Sequence, residues 1–212
     1  MQVIETLIPA VKLIRPARHV DHRGFFAETF SRRTLAEAGI GHDWVQDNHS
    51  LSRAKGTVRG LHFQVPPFAQ AKLVRVVRGA VLDVAVDLRH GSPSYGRHVA
   101  AVLDAESGDA LYIPEGFAHG FCTLEPDTEV AYKVSEYYAP THDRGVRWND
   151  RQLAIDWPAC ADAALLSARD RALPLLGTLP SWFGAAPALP EDGDEVAQAP
   201  RGHDRDRALH AS

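Results

Sequence analysis

Residues 57–90, TVRGLHFQVPPFAQAKLVRVVRGAVLDVAVDLRH, decide the fold class. They divide into three runs, Thr57–Gln64, Ala71–Val77 and Ala80–Leu88, rich in valine and other strand formers and separated by Pro and Gly. Strand side chains alternate, so in the third run Asp83, Ala85 and Asp87 share one face while Leu82, Val84, Val86 and Leu88 share the other. That pattern predicts one face in the core and the other toward water or a polar cavity. In the first run the same alternation sets Arg59 and His62 on opposite faces. A site that uses both requires a bend or bulge at Gly60, where the missing side chain makes one inexpensive.

Outward from this stretch the same signal continues. His98–Leu103, Ala110–Ile113, His119–Leu124 and Thr128–Ser135 are further short strand-like runs, divided by turns such as RHGSPSYG, AESGDA and PEG. The one clear helical signal is Ser31–Gly39, SRRTLAEAG, with a serine cap and a glycine stop. Many short strands at near-regular spacing predict an all-β sandwich or closed barrel, of which the jelly roll is the common form with a concave interior, plus a few short helices. Residues 1–183 read as one such domain. Residues 184–212, GAAPALPEDGDEVAQAPRGHDRDRALHAS, contain no aromatic residue and few large aliphatics, and are expected to form a flexible tail.

Composition narrows the function. The 212 residues carry 23 Lys+Arg and 27 Asp+Glu, a net charge of −4, and the pI is near 6.2. This argues against a nucleic-acid partner, whose phosphates call for concentrated basic charge. Cys122 and Cys160 are too few for a disulfide scaffold and wrongly spaced for a zinc site, which points to a reducing compartment. The start, MQVIETLIPAVKLIRP, lacks the features of a secretion signal, and no long apolar run occurs. A cytoplasmic protein with no membrane partner is expected.

Ionisable and hydrogen-bonding residues fall within the strand runs: Arg59, His62, Gln64, Lys72, Asp83, His119, Tyr132 and Lys133. A β cavity lined by such groups is where shifted proton affinities, and hence function, are expected. Histidine is the default base near neutrality, tyrosine can serve as an acid, and lysine or arginine can stabilise an oxyanion. This set suits proton abstraction next to a carbonyl. Taken singly, each residue has an ordinary structural explanation: a packed histidine, a tyrosine with a wet hydroxyl, solvated lysine and arginine, or Asp170 as a turn or cap residue.

The order of motifs is more specific. Arg59-Gly60-Leu61-His62-Phe63-Gln64, Pro66-Pro67 and Gln70-Ala71-Lys72-Leu73-Val74 resemble the signature of the dTDP-4-dehydrorhamnose 3,5-epimerases. The resemblance extends upstream to Asp21-His22-Arg23-Gly24-Phe25-Phe26-Ala27-Glu28 and Gln46-Asp47-Asn48-His49-Ser50. Downstream it takes in Asp87-Leu88-Arg89, Ile113-Pro114-Glu115-Gly116-Phe117-Ala118-His119-Gly120-Phe121, Tyr132-Lys133, Tyr137-Tyr138-Ala139-Pro140, Trp148-Asn149-Asp150 and Ser167-Ala168-Arg169-Asp170. It spans residues 3–176.

The resemblance implies a cupin-like jelly roll, a homodimer in which N-terminal strands cross to the neighbour, and a dTDP-linked 4-keto-6-deoxy sugar as substrate. It implies inversion at C3 and C5 with no redox cofactor and no metal. By the same likeness His62 is the general base, Asp170 its orienting carboxylate, Tyr132 the acid on the far face and Lys72 the stabiliser of the enolate. Arg23 and Arg59 are expected on the diphosphate or base, and Glu28, Gln46 and Asn48 near thymidine. Arg169 stands where the motif has lysine, keeping the charge for a phosphate but not the geometry. His119 and Phe121 are expected to complete the sugar cavity, and Tyr138 to close it.

Rival readings stay open at this level. The segment Pro114–His119 also resembles the second metal motif of cupins, but a divalent site needs about three convergent ligands and the matching strand offers His62-Phe63-Gln64. The same motifs are compatible with a non-catalytic sugar-nucleotide binder, and with an epimerase acting at C3 alone or C5 alone.

Overall fold

The computed structural model describes residues 1–184, and in it two antiparallel sheets take up nearly all the predicted strand runs. The elements in chain order are β1 (Gln2–Glu5), β2 (Lys12–Arg15), β3 (Arg18–Asp21), β4 (Gly24–Ala27), α1 (Arg32–Glu37), β5 (Gln46–Ser52), β6 (Val58–Gln64), β7 (Lys72–Arg78) and β8 (Ala80–Asp87). They continue with β9 (Arg89–His90), β10 (His98–Asp104), β11 (Ala110–Ile113), β12 (Phe117–Thr123), β13 (Thr128–Val134), β14 (Asp143–Gly145), α2 (Ala168–Arg171) and β15 (Phe183–Gly184). One sheet runs β1-β2-β11-β7-β13-β5 and the other β10-β8-β12-β6-β14. The tail predicted from residue 184 lies outside the described residues except for Gly184, which pairs with His90 in β9.

The sheets are held face to face by an aliphatic and aromatic layer drawn from both. Val74 and Val76 of β7 and Val130 of β13 meet Val81 and Ala85 of β8 and Phe117 and Phe121 of β12. Each such valine or phenylalanine removed from water contributes about 1.5–3 kcal/mol. A second layer covers the opposite face of the five-stranded sheet: Leu61 and Phe63 of β6 and Val84 and Val86 of β8 pack under Leu153, Leu176 and Phe183. A third, around Leu35 of α1, Leu73 and Tyr112, lies on the other sheet. Ser31 caps α1 by accepting the Thr34 N–H, as its place in SRRTLAEAG predicts.

Strand β8 therefore departs from its expected one-sided burial. Its aliphatic face is roofed by the C-terminal segment, and the carboxylate face is no more open: Asp83 and Asp87 are both 0% exposed. Asp87 is held by Arg89, Ser92 and Ser94. Asp83 faces His119. Buried carboxylates persist only when paired in this way.

Strand β6 bulges where expected. Opposite β12, His62 pairs with His119 but Arg59 pairs with Phe121, so β6 carries one extra residue between them. Gly60 has φ +115°, and a Cβ there would lie 2.7 Å from both Gly120 Cα and the His119 carbonyl oxygen. The conformation and the close strand approach both demand glycine. One extra residue resets the alternation, so Arg59 and His62 reach the same cavity while Leu61 stays in the hydrophobic layer behind.

Candidate active site

A cavity of about 550 Å³ opens between the sheets, lined by β5, β7 and β13 on one side and β6, β12 and β14 on the other, with α2 at its wall. His62, Tyr132, Asp170, Lys72, Gln46, Asn48, Arg59, His119, Phe121, Tyr138 and Arg169 all line it. Arg23 and Glu28 do not. Arg23 sits at the turn of the β3–β4 hairpin, with its side chain 78% exposed and paired to Asp21. Glu28 lines a groove beside Phe30, Asp47 and Arg75. The reason is topological: β3 and β4 pair only with each other, so within one chain nothing brings them to the cavity.

His62 and Asp170 form the tightest polar contact in the cavity. Nε2 of His62 lies 2.6 Å from Asp170 Oδ1, and Nδ1 has no partner among the described residues. Asp170 occupies the first turn of α2, where Ser167 caps the helix by accepting its N–H. Burial pushes the Asp170 carboxyl up in pKa, but His62, the Gly60 N–H and Ser167 outweigh it and hold the carboxyl below its ordinary value.

Tyr132 comes from the other sheet, on β13, and lines the same cavity. Its ring centroid lies 6.5 Å from that of His119, the cross-strand neighbour of His62. Burial raises its phenol pKa, aided by Asp143 and opposed by Arg59. Lys72, on β7, is 7% exposed and donates from Nζ to the His62 carbonyl oxygen at 3.1 Å. Burial lowers its pKa to about 8, with Asp143 and Asp83 holding it from falling further and Arg169 pushing it down.

Arg59 is braced before any ligand arrives, by Ser52 Oγ and the Leu51 carbonyl, each at 3.0 Å. Arg169 pairs with Asp143 at 2.7 Å, and Asp143 also accepts from the Tyr138 hydroxyl at 3.0 Å. The Tyr137–Ala139 loop is tied further by Gln46, which accepts the Tyr138 N–H, and by Gln64, which accepts the Ala139 N–H and donates to the Phe68 and Tyr137 carbonyls. Gln64 thus stands where a cupin metal motif has a ligand, and its amide is committed to these loop bonds. Among the described residues no group of three or more His, Cys, Asp or Glu side chains is arranged to hold a metal ion.

Three residues of this site have no role assigned from the sequence. Asp83 and Gln64 stand out there only as polar residues in strands. Asp143 gives no signal at all, because THDRG reads as a turn and β14 is only 3 residues long.

Residues 5–178 match the sequence model of a family described as dTDP-4-dehydrorhamnose 3,5-epimerase. The chain belongs to that family. The dTDP-4-dehydrorhamnose 3,5-epimerase of Sinorhizobium fredii is 51% identical over 180 residues, covering 83% of this chain and 90% of its own. The structure of dTDP-6-deoxy-D-glucose-3,5-epimerase RmlC from Legionella pneumophila, in complex with dTDP-4-keto-L-rhamnose, superposes with a TM-score of 0.82 at 41% identity, covering 87% of this chain and 98% of that one. ChmJ, a 3'-monoepimerase from Streptomyces bikiniensis in complex with dTDP-quinovose, has a TM-score of 0.77 at 38% identity and covers 82% of this chain and 88% of its own. The fold is the cupin-like β-sandwich of these epimerases.

Proposed function

We propose that this epimerase inverts C3 and C5 of a dTDP-linked 4-keto-6-deoxyhexose, as in the biosynthesis of dTDP-L-rhamnose. The observation that carries the reading is that a histidine on one sheet, paired with a carboxylate on α2, shares a cavity with a tyrosine from the other sheet, with a buried lysine bonded to the histidine's carbonyl. A ketone at C4 acidifies the hydrogens on both neighbouring carbons. His62 Nδ1 takes a proton from C3 or C5, the C–H electron pair becomes the enolate double bond, and the charge moves to the C4 oxygen. Lys72 Nζ, on a buried side chain, meets that oxygen, and a preorganised charge is most effective where it is shielded from water. Tyr132 then donates its hydroxyl proton to the opposite face of the same carbon and recovers one from solvent, while the His62 proton returns to solvent. Asp170 holds the ring with Nε2 protonated and stabilises the charged ring once Nδ1 has been loaded.

Arg59 and Arg169 supply permanent charge for the diphosphate, Gln46 and Asn48 polar contacts for thymidine, and Tyr138 a cover for the cavity mouth. His119 and Phe121 complete the wall around the sugar. The β3–β4 hairpin leaves Val20, Phe25 and Phe26 at 77%, 58% and 71% exposure, more apolar surface than a lone hairpin keeps in water. It is suited to cross onto a second copy in a homodimer, delivering Arg23 and Glu28 to that copy's cavity. Two free cysteines fit a reducing, cytoplasmic setting. No helix among the described residues is long and apolar enough to cross a membrane.

The test is incubation with dTDP-4-keto-6-deoxyglucose in deuterated water, followed by NMR at each carbon. Deuterium at both C3 and C5, with the inverted product, is expected. Exchange at C3 alone would place the chain with monoepimerases of the ChmJ kind, and tight binding without exchange would make it a binder.

A further inference from the structure

Behind the wall of the cavity, the two cysteines of the chain converge on one atom. Cys122 lies on β12, between Val58 of β6 and Leu82 of β8, and is 0% exposed. Cys160 is half-buried, in a turn closed by the Ala161 N–H, which donates to the Pro158 carbonyl oxygen. Each thiol donates to the Thr123 carbonyl oxygen at 3.8 Å. Both belong to one apolar cluster with Val58, Leu166 and Trp157. Gly56 holds the turn to β12. Its N–H donates to the Thr123 carbonyl oxygen at 2.8 Å, its own carbonyl accepts the Asp162 N–H at 3.0 Å, and a Cβ on it would overlap the Cys160 carbonyl oxygen.

Chain order connects this pair with the site. From Cys160 the segment runs through Asp162, which caps a short 3-10 turn (Ala163–Leu165), to Leu166 in the cluster and then to Ser167 and Asp170 at the cavity wall. It has little regular structure of its own, so its hold on the sheets rests on the cluster and a few hydrogen bonds. The two thiols at its root are unlike. Burial, and then Cys160, push the Cys122 thiol up to about 12, so it is un-ionised at neutral pH and enclosed. Cys160 alone has a face to solvent. A soluble oxidant therefore meets Cys160 first, with Cys122 behind it as the resolving thiol.

We propose that Cys122 and Cys160 are a modification site for small disulfides of the glutathione class, forming a reversible intramolecular disulfide that fastens the segment bearing Asp170 to β12. The Cys160 thiolate attacks one sulfur of glutathione disulfide, forming a mixed disulfide and releasing one glutathione thiolate. Cys122 then gives its proton to water and its sulfur attacks Cys160 Sγ. The mixed S–S bond breaks, and the second glutathione leaves as a thiolate that takes up a proton. Two cysteine thiols are thereby oxidised to one disulfide, and one glutathione disulfide is reduced to two thiols. Excess glutathione thiol reverses both steps, so the tie forms in an oxidising excursion and is lost under reducing conditions. It closes a loop of about 40 residues and stabilises by restricting the unfolded chain. The inference is independent of the sugar-nucleotide reading, since neither thiol lines the cavity.

In the test, the full chain is incubated with glutathione disulfide, blocked with N-ethylmaleimide and digested without reduction for mass spectrometry. A peptide pair joined through Cys122 and Cys160 is expected, from a chain that runs as a single subunit on denaturing, non-reducing gels. The melting midpoint should rise by about 5–15 °C over that of the reduced protein, and dithiothreitol should restore the lower value. Cys122→Ala should stop at a glutathione adduct on Cys160, and Cys160→Ser should show no cross-link, adduct or shift. Accumulation of the adduct in the wild type, no reaction at Cys160, a cross-link between two chains, or an intramolecular cross-link that leaves the midpoint unchanged or lower would each overturn the proposal. All four of those readouts come from the wild type, so a core variant that fails to fold leaves the test intact.

Discussion

The two histidine–carboxylate pairs of this cavity have nearly equal contact lengths, 2.6 Å for His62–Asp170 and 2.7 Å for His119–Asp83, and different surroundings. The His62 side chain is 29% exposed, whereas that of His119 is 6% exposed. A ring that reaches solvent can take up a proton and pass it on. An enclosed ring beside Lys72 meets both desolvation and like-charge repulsion if it does so. On the proposed mechanism the open pair carries protons, whereas burial disfavours the charged form of the enclosed His119.

The largest effect is expected at the more exposed pair. His62→Asn should lower kcat by about 10²–10⁴-fold, the range of a general base, while dTDP binding measured by calorimetry stays close to wild type. Retention of activity within tenfold of wild type would move the base elsewhere.

Lys72 touches both pairs electrostatically, donating to the His62 carbonyl oxygen and disfavouring the charged form of His119. Lys72→Met should cost about 10²–10³-fold in kcat through loss of charge stabilisation at the enolate. Its effect on stability runs the other way. In the unfolded chain Lys72 holds its proton up to its ordinary 10.5, in the fold only to about 8. Between these values the unfolded state binds more protons, so stability contributed through this group rises with pH across that window. Below about pH 8 the full cost of enclosing the cation, on the order of 3 kcal/mol, is present. The methionine variant should therefore melt higher at pH 7, and chemical denaturation should show the gain fading toward pH 10.5. Activity of the wild type should fall as pH rises through about 8, as the ammonium is lost.

Gly60→Ala tests how the open pair is aimed. The positive φ alone costs about 1–3 kcal/mol, and the clash with Gly120 adds to it, so a lowered midpoint in urea is expected along with a misplaced Arg59. An alanine variant of wild-type stability would contradict the account of the bulge.

How far the sequence reveals this molecule depends on the range of the interaction. The β6 bulge is legible, because Arg59 and His62 stand three residues apart with a glycine between them and the conflict is local. The α1 cap is legible for the same reason. The two-sided burial of β8 is not, since Leu153, Leu176 and Phe183 lie far along the chain and nothing in AVLDVAVDL announces them. Asp143 escapes notice because its importance comes from Arg169 and Tyr138, which the fold brings to it. Arg23 and Glu28 are recognisable by family likeness alone, yet one chain does not bring them to the cavity.

Whether His62 and Tyr132 act on opposite faces of one sugar ring is decided by Tyr132→Phe in deuterated water. With the base intact and the acid removed, deuterium should still enter C3 or C5 with retention of configuration, while formation of the inverted product falls by about 10²–10⁴-fold. Inversion at an undiminished rate in that variant would show that the phenol is not the second proton-handling group, and would contradict the account.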